Sequence, residues 1–304
     1  MEDYPSALAE FERRFATEAD CRKYLMQLRW PKGFRCPRCA GTRSWAMERG
    51  LIKCGGCGHQ ASVMAATIFH RSHLPLRTWF RAMWWVTNQK HGVSALGLQR
   101  LLGLGSYETA WMMLQKLRRA MVRPGRDQLS GEVEVDETLV GGVEKGGGRR
   151  HLGNKALVVV AAEVDGRGIG RIRMKRIPDS SAESLLSFVQ GAVRPGTVVV
   201  TDGWRSYAGL PEAHFRHRVR VRGTNPERAS KLLPRVHRVA SLLKRWLLGT
   251  HQGAVSRKQL EYYLDEFTFR FNRRTSRSRG KLFYRLVQQA AAIEPVPFSK
   301  LMAS

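Results

Sequence analysis

Cys36, Cys39, Cys54 and Cys57 stand as two Cys-x-x-Cys knuckles, CPRC and CGGC, with fourteen residues between them. No other feature of the chain restricts its local fold so strongly. A tetrahedral zinc ion needs four thiolates at about 2.3 Å, and each knuckle offers two of them from one tight turn. Gly55, Gly56 and Gly58 suit the cramped second knuckle, and Trp45 and Ile52 offer the small apolar surface that a metal supplements. The same sulfurs could instead form a disulfide set or a redox pair. With no signal peptide and only Cys21 left over, a reduced cytoplasmic setting is expected, and structural zinc follows. His59, two residues beyond Cys57, is expected as a neighbour of the site, because four sulfurs close the shell.

The charge balance bounds the partner. Lys and Arg number 52 against 25 Asp and Glu in 304 residues, a net charge of +27, so a polyanion is the expected ligand. A hydrophobic fraction of 43% is enough for a real core, which argues against a disordered basic tail. The longest apolar run, near Ala156–Ala162, is far short of the ~20 residues that a spanning helix needs, so no membrane is expected as a partner.

Hydrophobic spacing divides the chain. Residues 1–30 read as a helical lead carrying Leu8, Phe11, Phe15, Tyr24, Leu25 and Leu28, and residues 31–68 as the zinc ribbon. Residues 69–125 read as three helices, Pro75–Lys90, Ser94–Leu102 and Ser106–Met121, broken at Gly92, Gly103 and Gly105. Short helices with tight turns predict a helix-turn-helix. Its last helix would read DNA, with Ser106 as N-cap and Arg118 and Arg119 as contacts; a plain helical spacer is the alternative. From residue 129 to 290 the pattern turns to α/β. Three strands come first (GEVEVDETLV, ALVVVAAEVD, GRIRMKRI), then a helix near Ser180–Val193, then the buried strand GTVVVTD. That order predicts an RNase H-like domain, a mixed sheet flanked by helices, behind the ribbon and the helix-turn-helix. The Gly-rich basic insert EKGGGRRHLGNK reads as a mobile loop, and residues 291–304 as a tail.

The strand pattern also places acids. Period-two alternation sets Glu132, Glu134 and Asp136 on one face of the first strand, opposite Val133 and Val135, and predicts a concentrated negative patch in a basic chain. Asp202 ends the fourth strand. Phosphodiester chemistry in such folds uses two Mg²⁺ ions, which carboxylates must bridge. A solvent-facing strand edge and a turn aspartate are the plain alternatives.

The segments VDETLVGG, TDGWRSY and HRVASLLKRWLLGTH, followed by LDEFTFRFNRR, resemble DDE-type transposases of bacterial insertion sequences, in the group with an N-terminal zinc ribbon before an RNase H-like, integrase-like domain. The resemblance runs from the ribbon to about Leu286. It implies a first Asp, a second Asp, a third metal-site residue on a later helix and a basic residue seven positions on. On matching positions these are Asp136, Asp202, His237 and Lys244. The third position departs from the usual Glu. Imidazole nitrogen suits Mn²⁺ better than Mg²⁺, so His237 could orient water or DNA instead. Glu266, with Asp265 and Glu261 nearby, is the alternative third residue, and Glu137 a further one.

Between His214 and Lys258 twelve Arg or Lys residues face one acid, Glu227, which predicts a DNA track. Alternation sets Arg216, Arg218, Arg220 and Arg222 on one face of a presumed fifth strand, with Lys244 on the helix beyond. The expected function is therefore that of an insertion-sequence transposase, acting on terminal inverted repeats and target DNA. Zn²⁺ would be structural, Mg²⁺ or Mn²⁺ catalytic. The resemblance further implies a dimer or higher oligomer in the synaptic complex and a nucleoid-associated, cytoplasmic place in a bacterial cell. The rival readings are an inactive zinc-ribbon DNA-binding regulator, an RNase H-like nuclease or resolvase, and a basic RNA-binding protein.

Overall fold

The computed structural model describes residues 2–123, 125–141, 155–221, 232–253, 255–297 and 301. The chain forms two compact units, Met1–Arg123 with Ser276–Ser304, and Pro124–Thr275.

The first unit is built from α1 (Leu8–Arg14), α2 (Glu18–Arg29), a ribbon of β1 (Ser44–Ala46), β2 (Leu51–Cys54) and β3 (Gln60–Ser62), then α3 (Leu76–Asn88), α4 (Ala95–Leu102) and α5 (Tyr107–Ala120). Each start has a local cause. Thr17 and Asp20 close a capping box on α2, and Ser94 and Ser106 cap α4 and α5. Pro75 gives α3 no side-chain cap, so the Glu18 carboxylate accepts from the Leu76 and Arg77 N–H groups at 2.7 and 3.0 Å. Gly103 takes a left-handed conformation (φ 62°) and ends α4, turning the chain into α5.

An aromatic cluster holds these helices together, and its centre comes from the far end of the chain. The helix Arg279–Ala292 (numbered α9 in chain order) places Phe283 5.3 Å from Phe11, 5.6 Å from Phe15 and 5.6 Å from Phe80, ring centre to ring centre. Removing so large a buried side chain costs about 3–5 kcal/mol. At Gly280 a Cβ would lie 1.7 Å from the Pro5 carbonyl oxygen, so the N-terminal segment and this helix meet only through glycine. Residues 276–304, which the sequence reading shared between the catalytic domain and a tail, thus fall in the first unit. Their aromatic residues meet partners that are remote in sequence, which helical spacing cannot reveal.

The second unit is a five-stranded mixed sheet in the order β6-β5-β4-β7-β8. Its strands are β4 (Glu132–Val140), β5 (Ala156–Asp165), β6 (Gly168–Ile177), β7 (Val198–Thr201) and β8 (Arg216–Val219). The first three form an antiparallel meander, and β7 runs parallel to both β4 and β8. The helix α6 (Ala182–Ala192) crosses from β6 to β7, and α7 (Pro234–His251) and α8 (Leu260–Phe271) complete the unit. Alternation along the strands feeds two cores. Val133, Val135, Val159 and Val199 pack with Leu185, Phe188 and Val189 of α6. Val158, Val160, Ala162 and Val200 pack with Val236, Val239 and Leu243 of α7 and Leu264 and Phe267 of α8. This is the mixed sheet flanked by helices that the strand order predicts. Most of the expected mobile insert, and Arg222, lie outside the described residues.

Candidate active site

The ribbon brings its four sulfurs together. Cys36 and Cys57 Sγ lie 3.7 Å apart, Cys39 and Cys54 Sγ 3.5 Å apart, and all four ligand atoms fall within 4.8 Å of one another. Four ligands at about 2.3 Å in a tetrahedron sit about 3.8 Å apart, so the donor set fits zinc with only small side-chain shifts. The Gly56 N–H donates to Cys54 Sγ and the Arg38 N–H to Cys36 Sγ, as a thiolate-bearing knuckle requires. His59 is not in the cluster; its carbonyl accepts from the Cys54 N–H.

In the second unit, β4 and β7 lie side by side and in parallel, with Glu134 opposite Val200. The next residues on that face are Asp136 and, just past the end of β7, Asp202. A cleft of about 350 Å³ opens there, lined among others by Asp136, Glu137, Asp202, Val236, His237 and Ala240. His237 Nε2 is 3.0 Å from Asp136 Oδ2. The two aspartates and the histidine proposed from sequence thus border one cleft. Among the described residues, only the four cysteines bring three or more such ligand atoms within 4.8 Å of one another, so the cleft is the wider arrangement.

The expected patch of three strand acids is corrected. Glu134 is fully buried, and its carboxylate accepts from the Arg235 N–H at 2.7 Å, the Val236 N–H at 3.3 Å and Arg235 Nη1 at 3.0 Å. It serves as the N-terminal cap of α7, whose own preceding residue, Leu233, supplies none. Glu132 accepts from Arg218 at 2.7 Å and pairs with Arg220 at 3.5 Å. Alternation holds, but both glutamates are neutralised by arginines distant in sequence, and only Asp136 of the three lines the cleft.

Glu137, on the opposite face, also reaches the cleft. Burial pushes its carboxyl up to about 7, with Asp136 and Asp202 adding repulsion, while the buried Tyr207 hydroxyl donates to it at 2.9 Å. Sequence reading missed Tyr207 as its partner; TDGWRSY contains the residue but nothing that indicates a contact 70 positions away. It also missed the Thr201 hydroxyl, which is 2.9 Å from His217 Nε2 and accepts from the Gly203 N–H, shaping the turn that carries Asp202.

Other expected site residues lie elsewhere. Glu266 is buried with its carboxylate 2.8 Å from Arg270 Nε and is not among the residues lining the cleft. Lys244 borders a second, smaller depression. Arg218 and Arg220 sit at the β8 edge in the ion pairs just described. Arg118 is only 1% exposed and donates to Gln115, so the expectation that it contacts DNA is corrected. The exposed part of α5 is its start, where Tyr107 is 52% exposed; its later turns are buried or, at Trp111, Met112, Lys116 and Arg119, half-buried.

Comparison with known proteins places this geometry in context. Residues 128–272 match the ISXO2-like transposase domain, and residues 16–60 match the transposase zinc-ribbon domain, both of the IS1595 group. An uncharacterized protein in transposable element ISH50 of Halobacterium salinarum is 28% identical over 304 residues, covering 92% of this chain and 98% of that one. Among solved structures, the catalytic core of BIV integrase aligns with a TM-score of 0.33 at 18% identity, over 49% of this chain and 86% of that one. The Mos1 strand transfer complex aligns with a TM-score of 0.29 at 14% identity, over 70% and 75%.

Proposed function

Because this chain belongs to the IS1595-group insertion-sequence transposases, with both the transposase domain and the zinc ribbon of that group, we propose that Asp136, Asp202 and His237 form its catalytic metal site and cut and rejoin DNA. The observation that carries the assignment is their shared cleft, with His237 Nε2 3.0 Å from Asp136 Oδ2. Two carboxylates and an imidazole are a donor set for a divalent ion, and the nitrogen makes Mn²⁺ more suitable than Mg²⁺. When bound, a pair of such ions supplies Lewis-acid activation of the attacking oxygen and stabilisation of the leaving one.

The chain's own residues do the rest. Asp136 and Asp202 present oxygens from adjacent rigid strands, and Glu134 fixes the start of α7 so that His237 meets Asp136. Glu137 reaches the same cleft, where its carboxylate accepts from the Tyr207 hydroxyl at 2.9 Å and is held beside the two aspartates. Water would attack the element-end phosphodiester first, and the freed 3′-hydroxyl would then attack target DNA. Arg218 and Arg220 at the β8 edge and Lys244 on α7 are the cations assigned to the DNA backbone, and the ribbon with the exposed start of α5 would bind the element ends. Joining two ends in one event requires at least two copies of the chain.

The test is cleavage and strand transfer by the purified protein on its own element ends, with Mg²⁺ or Mn²⁺. Asp136→Ala and Asp202→Ala should lose both steps and keep end binding. Cleavage without joining in the unaltered protein would make it a nuclease, and neither step in either metal would leave a DNA-binding regulator. Activity persisting in both aspartate variants rejects the site.

A further inference from the structure

Directly after Asp202 the chain turns at Gly203, whose backbone is left-handed (φ 85°). A Cβ there would lie 2.7 Å from Val219 Cγ1 and 3.9 Å from Val221 Cγ2, so the turn runs against two valines at and just past the end of β8. Both valines are exposed, at 45% and 73%, and the next residue in the turn, Trp204, is exposed at 54%. Asp202 Oδ1 accepts from the Trp204 N–H at 3.0 Å, which ties the root of the indole to the carboxylate. We propose that Trp204 is a stacking platform for the nucleobase next to the phosphate that is cut.

Exposure on this scale calls for an occupant. Single exposed apolar residues are ordinary, but among the described residues of this unit four large hydrophobic side chains are exposed, and three of them belong to this turn and the strand edge against it. The turn is also anchored. Trp204 leads into the short 3-10 turn Arg205–Tyr207, and Tyr207 is fully buried and donates to Glu137 at 2.9 Å. One end of the segment is therefore tied to Asp202 and the other to Glu137, while the indole between them stays in solvent. A rigid ring on an anchored turn loses little conformational freedom when it stacks.

Charge and position select the occupant. Arg218 and Arg220 alternate with the two valines, and Arg205 is exposed next to Trp204 in the chain, a pattern of cations around an aromatic face that suits nucleic acid. The same cations would repel a second copy of a chain of net charge +27. Trp204 stands two residues past Asp202, so their Cα atoms are at most about 7 Å apart, while a DNA strand advances about 3.4 Å per nucleotide. The ring thus serves the nucleotides that flank the cut. The reaction itself bares a base there. Hydrolysis of the phosphodiester takes one stacking neighbour from the terminal base of that strand, and an indole in the neighbour's place restores the lost contact.

This inference rests on the transposase reading for its choice of DNA, and the test separates the two. Full-length protein is bound, without divalent metal, to a duplex that ends at its own element terminus, with an abasic site moved one nucleotide at a time through the last few positions. Trp204→Ala should weaken binding of the intact duplex about tenfold, the share of one stacked base, and Trp204→Phe should keep most of the affinity. One abasic site close to the terminus should weaken the unaltered protein by a similar factor and leave Trp204→Ala unaffected. 5-Iododeoxyuridine at that position should cross-link to Trp204 on irradiation, and this result decides the matter if Trp204→Ala fails to fold. An abasic scan that costs both proteins the same at every position, or a Trp204→Ala variant altered only in oligomeric state, overturns the platform. Cleavage by Asp202→Ala with Mg²⁺ or Mn²⁺ is read in parallel. If it persists, the metal-site reading fails, while the abasic scan still decides the stacking.

Discussion

The two candidate metal sites of this chain are built in opposite ways. The cysteine cluster draws its ligands from two knuckles at most 21 positions apart, each a tight turn that holds its own pair of sulfurs. The cleft joins residues 101 positions apart, Asp136 on a strand and His237 on a helix, with Asp202 reaching it from a third element. The first geometry is a property of local backbone, and zinc supplies the energy that closes it. The second exists only once β4, β7 and α7 have packed, and a buried carboxylate, Glu134, fixes the helix in place. A local site should fail with its metal; a distributed one should fail with its framework.

The largest expected effect tests the local half of that contrast. Structural zinc contributes about 10–16 kcal/mol to the folding of such small modules, so chelation or Cys54→Ser should unfold the ribbon and weaken end binding while the second unit keeps its melting transition. Elemental analysis finding no zinc in protein purified without chelator would remove the premise. Next, Asp136→Ala or Asp202→Ala should reduce cleavage roughly a thousandfold, about 4 kcal/mol, with zinc content and end binding unchanged.

A third experiment asks whether the framework matters as much as the ligands. Glu134→Ala leaves the Arg235 guanidinium without its carboxylate and the first N–H groups of α7 without their acceptor, which should cost about 3–5 kcal/mol of stability in the second unit only. Thermal unfolding reads this directly, and an unshifted transition would show that the cap is dispensable. A smaller effect is expected at His237. Its replacement by Ala should slow cleavage tenfold or more, whereas His237→Glu should recover activity with Mg²⁺, the ion that prefers oxygen. Full activity in His237→Ala together with loss in Glu266→Ala would move the third position to α8.

The smallest effect concerns the cysteine outside the cluster. Burial pushes the Cys21 thiol up to about 12, so alkylation near pH 8 should leave it unmodified and should accelerate only as pH climbs or the first unit unfolds. Peptide mass mapping after a short iodoacetamide pulse checks this. Rapid labelling of the folded, zinc-loaded protein would contradict the burial.

Much of the fold was legible because its signals are local. The knuckles carry their spacing, the caps Ser94 and Ser106 sit one residue before their helices, and β4–β6 alternate with period two. Asp136 and Asp202 were legible as acids at strand positions, and His237 through a resemblance that includes the residues around it. Arg118 shows the limit: a basic residue near a helix end looks like a phosphate contact, yet this one is buried.

By itself the sequence determined the ribbon, the order of strands and helices, the face of β4 that carries acids, and the excess of positive charge. These follow from the covalent spacing of neighbours, which repeats every two residues in a strand and every 3.6 in a helix. Only the tertiary structure decided which acids stay available. Glu132 and Glu134 pair with arginines 86 and 101 positions away, Glu137 meets Tyr207, and Phe283 completes a core begun at Phe11. The reason is physical: burying a charge without a partner is prohibitive, so an acid's role is set by whichever cation or donor the packed fold delivers to it. That partner has no fixed distance along the chain.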